Sequence, residues 1–599
     1  MNNDQKIENL LNLALEASDA ERKKSLNLNQ GYDRETKTWE LIVRYHGDIW
    51  KFQNQVREII TLSGGYAIVT VEESLVDWLS AQPEIEYVEK PKRLFFSVDQ
   101  GRAVSCVNQL QTGEYNLKGQ GILVAVIDSG VDYFHPDFRN EDGTTRIEAI
   151  WDQTAGRRDV PERGVEESMA IPGTEIREEN ILPEKIRGVE YTKERINEAL
   201  AAGSREAGYR IVPSRDVSGH GTEVLGIAAG NGRASGGQYR GMAPESRILV
   251  VKLGVPGQSF PGTVELMLAL DYVLRKALQL EMPVAVNLSF GNVYGPHDGT
   301  SLLETYLDMT AGMWQNVICV GTGNEGNTGG HISGLLQEGQ ERTIEFGIAD
   351  SEPTVNLQLW KSYTDQFGIV LVHPNGDTFG PLQERLGAQR IIAGRTEILV
   401  YYGEPKPYTT AQEIYFDFIP RGNYVDSGVW KIRLIPRRVV EGRYDFWLPS
   451  SGALNPNTRF FGPTVNTTLT IPSTAQKIIA VGAYDSRLMT YAAFSGRGNT
   501  RDERQIKPDL VAPGVSITTT AVGGSYTNVT GTSFATPFVT GAAAIMMQWG
   551  IVEGNDPFLY GEKVRAYLQR GAMRLPTLIG YPNPIVGYGA LCVKDSLLL

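Results

Sequence analysis

The sequence predicts an α/β protein built on a parallel sheet, with a small α+β domain before it and an all-β insertion within it. Three observations carry that expectation. The first is a set of apolar, β-branched runs that end in small or polar residues: Val124-Ala125-Val126-Ile127-Asp128, Val284–Leu288 and Asn316–Gly321. Such runs belong to strands buried on both faces, as in parallel sheets. The second is a pair of Ala/Gly-rich segments, His220–Gly230 and Phe538–Met547, too apolar for surface helices. The third is a change of rhythm. Helix–strand alternation stops near Gly330 and resumes with Gln476-Lys477-Ile478-Ile479-Ala480-Val481.

Residues 1–100 form the first domain. Met1–Arg22 reads as an amphipathic helix with Ile7, Leu10, Leu11, Ala14 and Leu15 on one face. Trp39–Tyr45 alternates as a strand. Ile49, Phe52, Val56, Ile59 and Ile60 give a helical stripe. Tyr66–Val71 is a second strand, Glu73–Ala81 a helix and Ile85–Lys90 a third strand, a βαβαβ-like order. The parallel-sheet domain occupies residues 101–330 and 476–599. Within its first part, Arg139–Arg215 contains a polar stretch rich in Glu and Arg, expected as a surface elaboration. Residues 331–475 turn to short strands: Arg342–Ile348, Val355–Trp360, Gly368–Val372, Thr396–Tyr402, Glu413–Phe418, Gly428–Ile435 and Arg443–Leu448, with a hairpin signal at Asn375-Gly376. Strands at this spacing, without helices, read as a β-sandwich or jelly roll set into a loop of the α/β core.

Chemistry concentrates at three element ends. In Gly531-Thr532-Ser533-Phe534-Ala535-Thr536-Pro537 a serine opens a buried helix. Pro537 points to a first helical turn, where its missing N–H is harmless, and places Ser533 at or near the N-cap, facing the positive end of the helix dipole. Taken alone, this is equally the start of an ordinary capped core helix. Asp128 ends an apolar strand beside Ser129-Gly130, and ligands of open α/β sheets sit outside such strand ends. His220, in Ser218-Gly219-His220-Gly221-Thr222, opens an Ala/Gly-rich helix; His135, in Phe134-His135-Pro136-Asp137, reads as structural. An Asp, a His and a Ser so placed fit orienter, general base and nucleophile.

These segments, in the order Asp, His, Ser, resemble the subtilisin-like serine peptidases (subtilases). Gly323-Asn324-Glu325-Gly326 is a fourth match. The resemblance implies a triad of Asp128, His220 and Ser533, with Asn324 as oxyanion-hole amide. It implies that Ser289-Phe290-Gly291 forms one wall of the S1 pocket and pairs with the substrate backbone. Residues 1–100 are similar in position and order to the subtilase propeptide, a folding template and inhibitor. Its tail, Leu94–Gln100, is then expected in the cleft, with self-cleavage between Gln100 and Gly101. A docking domain that is never cut is the plainer alternative. Propeptide, subtilase core and β insertion together resemble the Csp germination proteases of spore-forming clostridia. That resemblance implies limited proteolysis of a spore cortex hydrolase zymogen, with the propeptide retained. Two other readings stay open: a propeptide-plugged, pseudoprotease-like regulator or scaffold, and a general intracellular serine protease.

Composition bounds the rest. The 599 residues expect more than one domain, and a net charge of −13 disfavours nucleic acid as partner. No run approaches the ~20 uninterrupted apolar residues of a membrane helix. The N-terminus lacks the apolar core of a signal peptide. Cys106, Cys319 and Cys592 form no disulfide framework, and Cys319 reads as core filling. Together these suggest synthesis and use inside a cell or in a compartment built from within, and the Csp resemblance implies packaging into the spore. No cofactor is expected, and no metal site is readable from an acidic cluster or EF-hand-like loop.

Overall fold

A computed structural model describes residues 6–25, 27–92, 95–96, 105–112, 115–155, 188–254, 262–503 and 505–597. Its centre is a nine-stranded sheet. Ile479–Asp485, Asn316–Gly321, Val284–Leu288, Leu123–Asp128, Arg247–Lys252 and Ile147–Asp152 run parallel in that spatial order. Leu510–Pro513 pairs parallel with Ile479–Asp485, and Thr490–Tyr491 and Val189–Thr192 add antiparallel strands. Strand alternation sorts the core. Val124 and Val126 join the cluster that holds helices His220–Ala229 and Thr532–Met547. Leu123, Ala125 and Ile127 join the cluster of helices Thr263–Gln279 and Leu302–Ala311 on the other face. Ile147–Asp152 lies in this sheet, buried along most of its length. The elaboration expected at the surface from Arg139 therefore begins only after it, with the Val189–Thr192 strand and helices Lys193–Leu200 and Arg205–Ile211.

Helix Thr532–Met547 and the following turn to Val552 form a rod long and apolar enough to cross a membrane, but 83% of its most apolar stretch is buried inside the protein. It is a core helix.

The N-terminal domain is an antiparallel sheet, not the βαβαβ-like order expected. Thr38–Tyr45 pairs with Tyr66–Glu72 and Ile85–Glu89, and Glu58–Leu62 pairs with Tyr66–Glu72. The expected helical stripe splits: Ile49–Phe52 forms a short 3₁₀ helix, whereas Ile59 and Ile60 belong to a strand. Its β-branched triplet Ile59-Ile60-Thr61 favours the pleat, and Gly64 and Gly65, both at positive φ, turn the chain straight into the next strand. The single N-terminal helix is two, Asn9–Glu16 and Asp19–Lys24, because Ser18 and Glu21 form a reciprocal capping box that restarts the helix. One face of the sheet (Ile42, Ile60, Tyr66, Ile68) packs on the Thr263–Gln279 and Leu302–Ala311 side of the α/β core.

Residues 331–460 form two antiparallel sheets. One holds His331–Leu335, Arg443–Trp447, Val355–Ser362, Ala411–Pro420, Thr396–Tyr402 and Ala388–Ala393; the other holds Thr378–Phe379, Gln366–Val372, Gly428–Arg438, Arg342–Ile348 and Arg459–Phe460. Both sheets feed one apolar core. The strand Ala411–Pro420 alternates strictly. Ile414, Phe416 and Phe418 enter that core, whereas Tyr415 and Ile419 enter the core of the N-terminal domain, as do Leu399 and Tyr401 of the next strand. The N-terminal domain is thus held between the α/β core and the outer face of this layer. Arg390 pairs with Glu21, and Asn9 donates to Glu413 at the same junction.

Cys106 and Cys592 are joined by a disulfide, where no disulfide framework was expected; Cys319 is free and buried. The partners stand 486 residues apart. Only the fold brings the start of the α/β core against the Val593–Ser596 helix, so spacing could not reveal the pair. The inference of an intracellular site loses this support.

Candidate active site

The predicted groups meet at the C-terminal end of the parallel strands. Asp128 is the last residue of its strand. His220 is the first residue of its helix, behind Gly219 at φ 85°. The two elements approach closely because Gly221 has no side chain: a Cβ there would stand 2.2 Å from the Gly130 carbonyl. Asp216 fixes the turn by accepting from Ser129 Oγ, Gly219 N, Thr222 N and Thr222 Oγ1. His220 Nδ1 lies 2.8 Å from Asp128 Oδ1, which also accepts from Ser129 N at 2.7 Å. Asp128 is fully buried and His220 nearly so. A carboxylate on Nδ1 assigns the proton to that nitrogen and leaves Nε2 as the base. Burial pushes Glu223, one turn further along, up to about 7; neighbouring Asp216 and Asp128 add to the shift and His220 opposes it.

Ser533 is the second residue of the Thr532–Met547 helix, with Gly531 at the N-cap, so it stands inside the first turn rather than at the cap. Pro537 lies beyond the first turn, against expectation, and its position has a use. Lacking an N–H, it leaves the Ser533 carbonyl without its helical donor, and Ser289 Oγ donates there at 2.9 Å. Ser289 is held in turn by Asn287 Nδ2 at 2.7 Å, and Asn287 Oδ1 by Thr540 at 3.0 Å. The Ser533 hydroxyl donates to the Ser289 carbonyl at 2.7 Å. The His220 ring packs edge-on against Phe534, centroids 5.1 Å apart, which sets the imidazole beside the Ser533 turn.

Asn324 sits across from this turn. Its Oδ1 accepts from Thr532 N and Thr532 Oγ1, each at 3.2 Å, so the amide N–H₂ is the end left for the cleft. Such an arrangement can run acyl transfer: His220 takes the Ser533 proton, Asp128 steadies the imidazolium, and Asn324 with the Ser533 N–H binds the oxyanion. A cleft of about 350 Å³ beside Ser533 is lined by Ser289, Phe290, Gly291 and Asn324. Phe95–Phe96, at the end of the N-terminal domain, pair antiparallel with Phe290–Gly291 along this cleft. Gln100 and Gly101 lie outside the described residues. Among the described residues, no three His, Cys, Asp or Glu side chains gather as a metal site.

A model described as the subtilase family matches residues 119–345 and 453–589, more than half of the chain. The chain belongs to the subtilase family. The match breaks off across most of the two-sheet layer. A second model, the Csp protease B prodomain, matches residues 5–92 of this subtilase. The solved structure of the Clostridium perfringens CspB protease is 36% identical, with a TM-score of 0.73 over 82% of this chain and 95% of that one. The minor extracellular protease Vpr of Bacillus subtilis is 23% identical over 506 residues, 80% of this chain and 52% of Vpr, so the subtilase spans about half of that relative's length. Serine protease AprX of Bacillus subtilis is 33% identical over 150 residues, 22% of this chain and 32% of AprX.

Some of the site escaped the sequence. Asp216, four residues before His220, had a legible signal as a capping acid ahead of a helix. Ser450, Ser451, Gly452 and Thr470 also line the cleft, and nothing local marks them, since they reach it from beyond the Arg443–Trp447 strand, far in sequence from Ser289 and Asn324.

Proposed function

We propose that this subtilase is a serine endopeptidase that cleaves its own propeptide, keeps it docked, and then activates a protein zymogen by limited proteolysis. The observation that carries the reading is the 2.8 Å Asp128–His220 contact beside a buried Ser533 and Asn324, at a cleft already paired with the Phe95–Phe96 strand. The likeness to the Csp prodomain and to the CspB protease supports a spore cortex hydrolase as the zymogen and the spore as the location. We read residues 331–475 as an inserted β-sandwich of jelly-roll type, on the strength of its two sheets and single core.

Ser533→Ala tests the reading. The variant removes the nucleophile with little change in volume, so it is expected as one full-length chain. Wild type is expected as a large fragment plus a propeptide near 11 kDa, about 100 residues at ~110 Da each. An alanine variant that is still cut at the same bond in purified form refutes self-processing. Sequencing the large fragment tests the bond: a start at Gly101 supports it, and a start outside Ser97–Ser105 rejects it. The Phe95–Phe96 pairing also favours a second reading, a plugged regulator whose cleft never opens. That reading expects Ser533 to stay unreactive even after the propeptide is removed.

A further inference from the structure

We propose that a basin at the end of the parallel sheet away from Ser533 binds an acidic peptide segment of a protein partner, with Arg146, Arg233 and Arg240 meeting its carboxylates. The basin, of about 870 Å³, opens where the chain enters strands Leu123–Asp128, Ile147–Asp152 and Arg247–Lys252. Asp128 ends the first of these strands, five residues on and about 17 Å away at ~3.3 Å per residue. The basin is therefore separate from the catalytic cleft. Lys193, which opens the elaboration helix Lys193–Leu200, stands in one wall. Six cationic side chains line the basin (Lys118, Arg146, Lys193, Arg233, Arg240 and Arg247) against the three carboxylates of Glu141, Glu148 and Glu245. Six against three leaves a local charge of +3 on a chain whose net charge is −13.

Two of the carboxylates are already matched. Lys118 pairs with Glu245 at 2.9 Å, and Glu148 pairs with Lys193 at 2.8 Å and Arg247 at 3.5 Å. Among the described residues, the other three guanidiniums pair with no carboxylate. Arg146 is only 6% exposed. Its Nη1 donates to the carbonyls of Asp137 at 3.2 Å and Ala229 at 2.7 Å, and its Nη2 to that of Ser246 at 2.6 Å. Burial lowers its pKa to about 10, against the pull of Glu245 and Asp137, so it stays a cation at neutral pH. A buried cation met only by carbonyl dipoles keeps an unmet demand for an anion. Arg233 is exposed, and the carbonyls of Asn140 and Glu141 hold its guanidinium in place. Arg240 lies over Gly237, where a Cβ would stand 3.2 Å from its Nη2. Guanidiniums bind carboxylates with two parallel hydrogen bonds. The volume lies in the upper part of the ~300–1,000 Å³ range of ligand cavities, more than one small ion fills. A dense polyanion would meet Glu141, Glu148 and Glu245 on the same lining, whereas carboxylates spaced along a peptide can reach the guanidiniums between them.

The test uses the full-length Ser533→Ala chain, so that no peptide is cut, and a fluorescein-labelled octapeptide of alternating glutamate and serine, read by fluorescence anisotropy. The peptide is expected to bind, about tenfold or more tighter than its glutamine-and-serine counterpart, and to weaken as salt rises from roughly 0.05 to 0.5 M. Arg233→Gln and Arg240→Gln should each weaken binding about tenfold. Arg146→Lys, which keeps the charge and loses the planar fork, should weaken it as well. Arg34→Gln, exposed on the N-terminal domain, should bind as the parent does. Melting temperatures of the Arg233 and Arg240 variants equal to the parent's keep loss of fold out of the comparison. No binding of the glutamate peptide, equal binding of the glutamine peptide, or Arg233 and Arg240 variants that bind as tightly as the parent overturns the proposal. Displacement of the labelled peptide by less tripolyphosphate than unlabelled glutamate peptide overturns the peptide assignment in favour of phosphate.

Discussion

Ile419→Ala and Leu399→Ala should loosen the propeptide while leaving the two-sheet core packed. Both side chains are buried, at 1% and 0% exposure, in the cluster shared with the N-terminal domain, and alternation keeps them out of the core between the sheets. Each substitution removes three carbons, a transfer term of about 2.4 kcal/mol at ~0.8 kcal/mol per group. A residual cavity carries the cost to roughly 2–5 kcal/mol. At about 1.4 kcal/mol per tenfold, either variant should weaken docking by about 30-fold or more. The double variant should weaken it further, though not by the full product, because the two residues share one cluster. The assay is size-exclusion of the processed protein at falling concentration, with the co-eluting propeptide quantified. Phe416→Ala, on the inner face, is the contrast: it should lower the melting temperature of the layer first. If the double variant holds its propeptide at the same dilution as wild type, the outer face is not what retains it.

Two further outcomes are expected. Asn324→Ala should slow self-processing by roughly 10²–10³, through loss of one oxyanion donor, read as the half-life of the full-length chain. Asp417 is fully buried; burial pushes its pKa up to about 7, with Ser25 and Lys90 opposing the shift. A raised folded pKa means the stabilising contribution is present below about pH 4 and is lost as pH rises to about 7. Across that window the Asp417→Asn variant should gain on wild type by up to about 1.4 kcal/mol per pH unit. Denaturant midpoints of the two proteins at pH 5 and 7.5 check this, and a pH-independent difference refutes it.

The parallel strands, and the approach of Asp128, His220 and the Ser533 turn to one another, were legible because their signals are local. Val124–Asp128 is apolar on both faces, and Asp128, His220 and Ser533 each sit beside glycine at an element end. The N-terminal sheet was misread because Ile49, Phe52, Val56, Ile59 and Ile60 satisfy helical spacing while their last members pair as a strand. The covered outer face of the two-sheet layer had a signal that alternation alone does not weigh. Leu399, Tyr401, Tyr415 and Ile419 make both faces of their strands apolar, more than a one-sided sandwich requires. Pairing of Cys106 with Cys592, and the arrival of Ser450 and Thr470 at the cleft, depend on contacts between distant segments, which no sequence window contains.

The most direct measurement is covalent: treat the processed protein with a fluorophosphonate and locate the adduct by peptide mass spectrometry. The account predicts one adduct, on Ser533, absent in His220→Ala and formed faster in the Ile419→Ala, Leu399→Ala protein, where the propeptide leaves the cleft more readily. An adduct on another residue, or none in a chain that has lost its propeptide, would contradict it.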